Sequence, residues 1–193
     1  MRTLRTLRNI ALAAVLLTAV ALPGAVLGGP MENADMLFGQ GEALAGQGQW
    51  QEALNLYVQA YQTYPKSKYV FKIASAYVKL GNLPRALDAY LLFNQYEPSD
   101  EVAKRIADEV EKLEGMLKQE YGKVFVASSP QGAFVFIDEI SKQTQFHTPV
   151  VRWLKDGPHS VMFQMDGHLP REIKISVEKG GSLSIYAGLR PAR

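Results

Sequence analysis

Three histidines and one pair of adjacent acids are where chemistry would be sought in this chain of 193 residues, which contains no cysteine. His147, His159 and His168 could ligate a metal or shuttle protons. None has a second histidine or an acid at the spacing that metal ligands use. Asp138 and Glu139 could be read as a carboxylate pair. Neighbouring residues of a strand face opposite ways, so the two would not converge on one bond. The lack of cysteine excludes disulfides, thiolate metal sites, a thiol nucleophile and a lipid anchor on cysteine. A nucleophile elbow, a phosphate loop and a dinucleotide fingerprint are missing too. The acids and bases between Asp100 and Tyr121 read as the wet face of a helix. The residues imply a non-enzymatic protein with no cofactor and no metal.

What organises the chain instead is a repeat. Gly48, Trp50, Ala53, Leu54, Tyr57, Ala60 and Pro65 recur as Gly81, Leu83, Ala86, Leu87, Tyr90, Phe93 and Pro98, each 33 residues on. A step held at seven positions marks a repeated helix–turn–helix unit. Ala34 to Gln47 is predicted to be helical, ended by Gly46 and Gly48. Trp50 to Tyr64 is its antiparallel partner, with apolar residues at three- and four-residue spacing, stopped by Pro65. Val70, Ile73, Ala74 and Tyr77, then Leu83, Ala86, Leu87, Tyr90 and Phe93, build the second hairpin. A further helix follows, capped by Ser99 or Asp100 and carrying Val102, Ala103, Ile106, Ala107, Val110, Leu113 and Leu117 on one face.

The first residues have the three-part form of an export signal. Met1 to Asn9 holds Arg2, Arg5 and Arg8 and no acid, and Ile10 to Leu22 is an apolar run of thirteen. A helix of that length spans roughly 20 Å, short of a ~30 Å hydrocarbon core. Pro23 and Gly24 break it, and Val26 and Gly28 suit a cleavage site after Gly28. The expected mature chain has no transmembrane segment and no lipid anchor, and is exported, most simply to a bacterial periplasm. Without the three arginines, basic residues fall from 21 to 18 against 19 acidic ones. No positive field remains to hold nucleic acid.

The stretches GQWQEALNLYVQAYQTYP and GNLPRALDAYLLFNQYEP resemble the second helices of tetratricopeptide (TPR) repeats. The resemblance covers residues 34–98, as repeats 34–66 and 67–98 after a linker at 29–33. It is weaker in the first helices, where Leu37 and Val70 stand at a position the family often fills with Trp. Residues 99–121 form the expected capping helix. Two repeats and a cap fall below the roughly three repeats such arrays need. The array is therefore expected to lean on the following domain, on a partner, or on a second copy as a homodimer. In the family, first helices line a groove for a peptide or a partner helix. Carried over, that groove would present Phe38, Glu42, Phe71, Ser75, Lys79 and Lys104. The Lys and Asn clamp that some members use for a carboxylate tail is missing, since Phe38, Glu42, Phe71 and Ser75 occupy its places.

After Gly122 the apolar period becomes two. Val124, Val126, Val135, Ile137, Val161, Phe163, Ile173, Ile175, Val177, Leu183, Ile185 and Ala187 mark short strands between Gly/Pro turns. SSPQGAFVFID, TPV and DGPHSVMFQMDGHLP are similar to a PEGA domain over residues 122–191, with Pro130-Gln131-Gly132-Ala133 in the signature turn. Glu139 stands where the family has Gly, and the 139–147 loop is long. The resemblance implies a β-sandwich module of bacterial envelope proteins, often fused to TPR arrays. With valines inward, Phe125, Phe134 and Phe136 are predicted to face outward on neighbouring strands, as a docking face for a partner or beneath the capping helix.

The expected architecture is thus an α-helical hairpin array and a separate small all-β sandwich. The expected function is a protein-interaction scaffold of the cell envelope. The alternative is a module for peptidoglycan or another glycan, with the array as a spacer. Little beyond Lys123 and Asp138 is polar around the three phenylalanines, which weakens the alternative.

Overall fold

The computed structural model describes residues 28–140 and 145–192. The proposed export signal, apart from Gly28, and the middle of the 139–147 loop lie outside the described residues. The chain divides into two compact units, one ending at Met116 and one beginning at Leu117.

The first unit is helical. It contains α1 (Pro30–Gly46), α2 (Trp50–Thr63), α3 (Ser67–Lys79), α4 (Leu83–Phe93), a 3-10 turn (Asn94–Tyr96) and α5 (Asp100–Leu117), whose last residue opens the second unit. The 33-residue step of the sequence is a step of the backbone. Helix α1 closes with Gly48 N–H on Ala45 O at 3.0 Å and Gln49 N–H on Leu44 O at 3.0 Å. Helix α3 closes with Gly81 N–H on Val78 O at 3.1 Å and Asn82 N–H on Tyr77 O at 2.9 Å. These are the same two bonds, moved by one repeat, and together they form a Schellman end. It requires a left-handed residue, supplied by Gly48 at φ 78° and Gly81 at φ 72°. The helix that follows starts alike in both, with Ala53 N–H on Gln49 O and Ala86 N–H on Asn82 O, each at 3.0 Å. Ala53, Ala60 and Ala86 are fully buried, and Leu54, Leu87, Tyr57, Tyr90 and Phe93 nearly so. The small residues let the helices of a pair approach, and the two tyrosines fill the wider gap. Burying each large side chain contributes about 1.5–3 kcal/mol.

The second unit is a β-sandwich. A three-stranded sheet has the order β4 (Val150–Lys155), β1 (Tyr121–Ser129), β7 (Ser182–Gly188). A four-stranded sheet has the order β3 (Gln145–His147), β2 (Phe134–Ile137), β5 (Gly157–Gln164), β6 (Arg171–Val177). Strand β1 runs antiparallel to β4 and parallel to β7. Val124, Val126, Val135, Val161, Phe163 and Ala187 are fully buried between the sheets, as the two-residue period predicts.

The turn between β1 and β2 carries the chain from one sheet to the other, and a buried threonine holds it. Thr148 Oγ1 accepts from Gly132 N–H and Ala133 N–H, each at 3.1 Å, and lies 2.6 Å from Ser128 Oγ. Ser128 donates onward to Pro130 O. The threonine hydroxyl therefore donates to Ser128, and every polar atom of the clamp has a partner. Gly132, at φ 86°, supplies the left-handed residue that aims its N–H at Thr148.

Candidate functional site

The helical unit contains an open hollow of about 790 Å³ walled by α1, α3, α4 and α5. Its floor is apolar, formed chiefly by Phe38, Phe71, Tyr90, Phe93, Val102 and Ile106. Lys68, Lys72, Lys79, Arg105, Asp108 and Glu109 supply charges around it. A second hollow of about 320 Å³ shares Phe71, Lys72 and Ser75 with the first and adds Glu42, Trp50 and Tyr57.

The repeat places these side chains in matching pairs. Phe38 lies 5.6 Å from Tyr57, and one step on Phe71 lies 6.1 Å from Tyr90, ring centre to ring centre. Tyr57 donates its hydroxyl to Glu42, and the Tyr90 phenol meets Ser75 at the equivalent place. Phe71 also packs edge-on against Phe93 at 6.1 Å. Phe93 occupies the repeat position of Ala60, and it lines the larger hollow whereas Ala60 lines neither.

Two carboxylates on α1 tie it to α3. Asp35 accepts from Lys66, Lys68 and Tyr69, each at 2.6 Å. Glu42 accepts from Lys72 at 2.6 Å and from Tyr57. Lys68 also stands 4.9 Å above the Phe38 ring, and Lys79 lies 5.8 Å from the Trp50 ring. The hydrogen bond from Lys66, then those from Lys68 and Tyr69, hold the Asp35 carboxyl far below the usual range. Burial raises Glu42, but Lys72 and Tyr57 outweigh it and leave that carboxyl lowered as well. Burial, reinforced by Glu42, pushes the Tyr57 phenol far up, so it remains a donor at any ordinary pH.

A pH dependence follows. Both carboxyls bind protons less tightly folded than unfolded. Their contribution to stability is thus complete above the unfolded carboxyl range near about 4, and is lost as pH falls through the lowered folded values. The urea midpoint of the helical unit should drop on acidification below about pH 4. The double variant Asp35→Asn, Glu42→Gln should start lower at neutral pH and fall less steeply in acid.

The residues predicted for the groove are distributed as follows. Phe38, Phe71, Ser75 and Lys79 line the larger hollow, and Glu42, Phe71 and Ser75 line the smaller. Lys104 lines neither and is exposed, which corrects its placement in the groove. As the last helix of the array, α5 presents Val102, Arg105, Ile106 and Glu109 to the hollow, at three- and four-residue spacing. Lys104 falls on the opposite side of the helix, about 200° round from Val102. Ala107, expected on the apolar face, is exposed as well. The contribution of Tyr90, Phe93 and Arg105 to the hollow was missed. The large residue at 93, in place of the small one at 60, was the available signal.

In the β unit, Phe125 lies in the three-stranded sheet and Phe134 and Phe136 in the four-stranded one. They do not sit on neighbouring strands, because the Pro130–Ala133 turn changes sheets. Phe125 is 43% exposed, Phe136 is buried, and Phe134 packs on His147 with ring centres 4.5 Å apart. The exposed companions of Phe125 on its own sheet are Val151 and Tyr186. His159 bonds Asp138 through Nδ1 and Lys155 O through Nε2, both at 2.7 Å, as a tie between strand ends. Among the described residues no three metal-capable side chains cluster, and no helix is long and apolar enough to cross a membrane.

Comparison with known families places two models on the chain. A tetratricopeptide repeat model matches residues 35–67, and the PEGA domain model matches residues 121–193. No curated protein matches the chain. The hairpin that follows has the same Schellman end and the same first helical bond as the matched one, 33 residues on. Both families are non-catalytic interaction domains. The chain therefore carries a tetratricopeptide repeat at residues 35–67 and a C-terminal PEGA domain at residues 121–193.

Proposed function

We propose that the helical unit binds a segment of another protein in its hollow, as a scaffold working in the bacterial cell envelope after export. The observation that carries the reading is the apolar floor of Phe38, Phe71, Tyr90 and Phe93 in an open hollow of about 790 Å³. An open hollow with such a floor is a place where a partner's apolar side chains gain by leaving water. Charges of both signs around it suit a segment with apolar anchors and polar flanks. The export half of the proposal rests on the form of residues 1–28 and on the PEGA domain, a module typical of exported proteins.

Photocrosslinking in the producing cell tests it. A photoreactive residue at Lys79, on the hollow, should give a discrete adduct with a protein partner. One at Gln59, exposed on α2 and outside both hollows, should not. Adducts of equal yield from both positions, or none from Lys79, would contradict the proposal.

A further inference from the structure

The edge of the three-stranded sheet at β7 is built to pair with another strand, and we propose that its partner is β7 of a second copy of the chain. The phase of the β1–β7 ladder shows which backbone groups are free. Lys123 N–H bonds Gly181 O at 2.9 Å, and Leu189 N–H bonds Ser129 O at 2.8 Å. Odd-numbered residues from 181 to 189 therefore turn their backbone groups towards β1, in a register with no bulge. Ser182, Ser184, Tyr186 and Gly188 turn theirs away. Arg171 Nη1 takes up the Gly188 carbonyl at 2.9 Å. The N–H and C=O groups of Ser182, Ser184 and Tyr186 have no partner among the described residues.

Exposed edges carry devices that stop them pairing. The other three edge strands have them. Strand β3 is only three residues long. Strand β4 carries Arg152 and Lys155, and β6 carries Arg171, Glu172 and Lys174. Strand β7 reads SLSIYAG, with no charge and no proline. It is the one unguarded edge in this unit among the described residues.

The strand also fits itself. Antiparallel pairing of two copies about Ser184 sets Ser184 opposite its own counterpart and Ser182 opposite Tyr186 of the other copy. All three outward-facing residues of each strand then fall in hydrogen-bonded positions, making about six new backbone bonds. On the exposed face, Ser182 and Ser184 are small and Tyr186 is 63% exposed. Each serine pair leaves room for the other copy's tyrosine ring, beside Phe125 and Val151. Strand β7 brings no charged side chain of its own to the seam, whereas β4 carries Arg152 and Lys155 and β6 carries Arg171, Glu172 and Lys174.

The test uses a charge placed at the two-fold. Ser184 is exposed, so Ser184→Lys and Ser184→Glu leave the core untouched. Sedimentation of the full chain should show wild type doubling its mass as concentration rises. Each variant should need about two- to fivefold more protein to do so, because like charges sit directly opposite. An equimolar mixture of the two variants should recover the doubled mass. Wild type that stays at single mass at every concentration, variants that associate as well as wild type, or a mixture that stays apart would each overturn the proposal. Amide exchange on wild type gives a readout free of any substitution. Ser182, Ser184 and Tyr186 should exchange more slowly as protein concentration rises, and concentration-independent exchange there would overturn the pairing.

Discussion

A valine at position 41 should destabilise the helical unit by about 2–3 kcal/mol, near the upper end of what overpacking a core costs. A Cβ at Gly41 would stand 2.7 Å from Tyr57 Cε1 and 2.9 Å from its Cδ1, with Ala53 O at 3.4 Å behind. The Tyr57 ring cannot step aside freely, because its hydroxyl is tied to Glu42 and its face to Phe38. The second repeat carries Ala74 at this place, so one methyl group is accommodated beside Tyr90. Valine adds two more carbons to a space already too small. Gly39, two residues earlier, has nothing within 4 Å of a built Cβ. Gly39→Ala should therefore stabilise the same helix by about 0.5–1 kcal/mol through propensity alone. The two tryptophans, one per unit, make the measurement selective. With Trp153→Phe in place, Trp50 fluorescence reports urea unfolding of the helical unit.

Gly122→Ala should cost the β unit about 2–3 kcal/mol, again by overpacking. The new Cβ would lie 2.5 Å from Glu178 O and 2.6 Å from Val177 Cγ1. The first contact is with backbone, so no rotamer change relieves it. The segment bearing Glu178 is held by Gly180 N–H on Tyr121 O at 2.9 Å and Gly181 N–H on Glu178 O at 3.0 Å. The strain must be met by moving β1 away from that turn, which weakens the β1–β7 ladder. Trp153 fluorescence in a Trp50→Phe background should show a lower melting temperature for this unit. An unchanged melt would mean that the close approach of β1 to the β6–β7 turn is not a feature of the folded protein.

The helical hairpins were legible because a repeat states each constraint twice. Gly48 and Gly81 mark the left-handed ends, and Tyr57 and Tyr90 mark the gap between paired helices. Agreement at a fixed step separates signal from composition. The phase of α5 was harder to read. Lys68, Phe71, Lys72 and Ser75 line the hollow on α3, and Val102, Arg105, Ile106 and Glu109 line it on α5, so the step into the last helix is 34 residues and not 33. That is why Lys104 was placed there and Arg105 was not. In the β unit, period two identified the buried valines, since alternation is a property of one strand. It says nothing about which strands are neighbours. The turn at Pro130–Ala133 changes sheets, so Phe125 was grouped with Phe134 and Phe136 although they lie in different sheets. The unguarded edge at β7 could be seen only once the strand order was known.

The reading as a binding array depends most on Phe71, which lines both hollows, packs on Tyr90 and Phe93, and has no charge to satisfy. The direct measurement is the affinity of a peptide selected from a random display library on the full chain, compared between wild type and Phe71→Ala at a temperature where both are folded. A peptide held by the hollow should lose at least about tenfold in affinity, the scale of one truncated anchor residue. Its contacts, mapped by amide shifts, should fall on α1, α3 and α5. Undiminished binding to Phe71→Ala, with contacts on the β unit alone, would contradict the account.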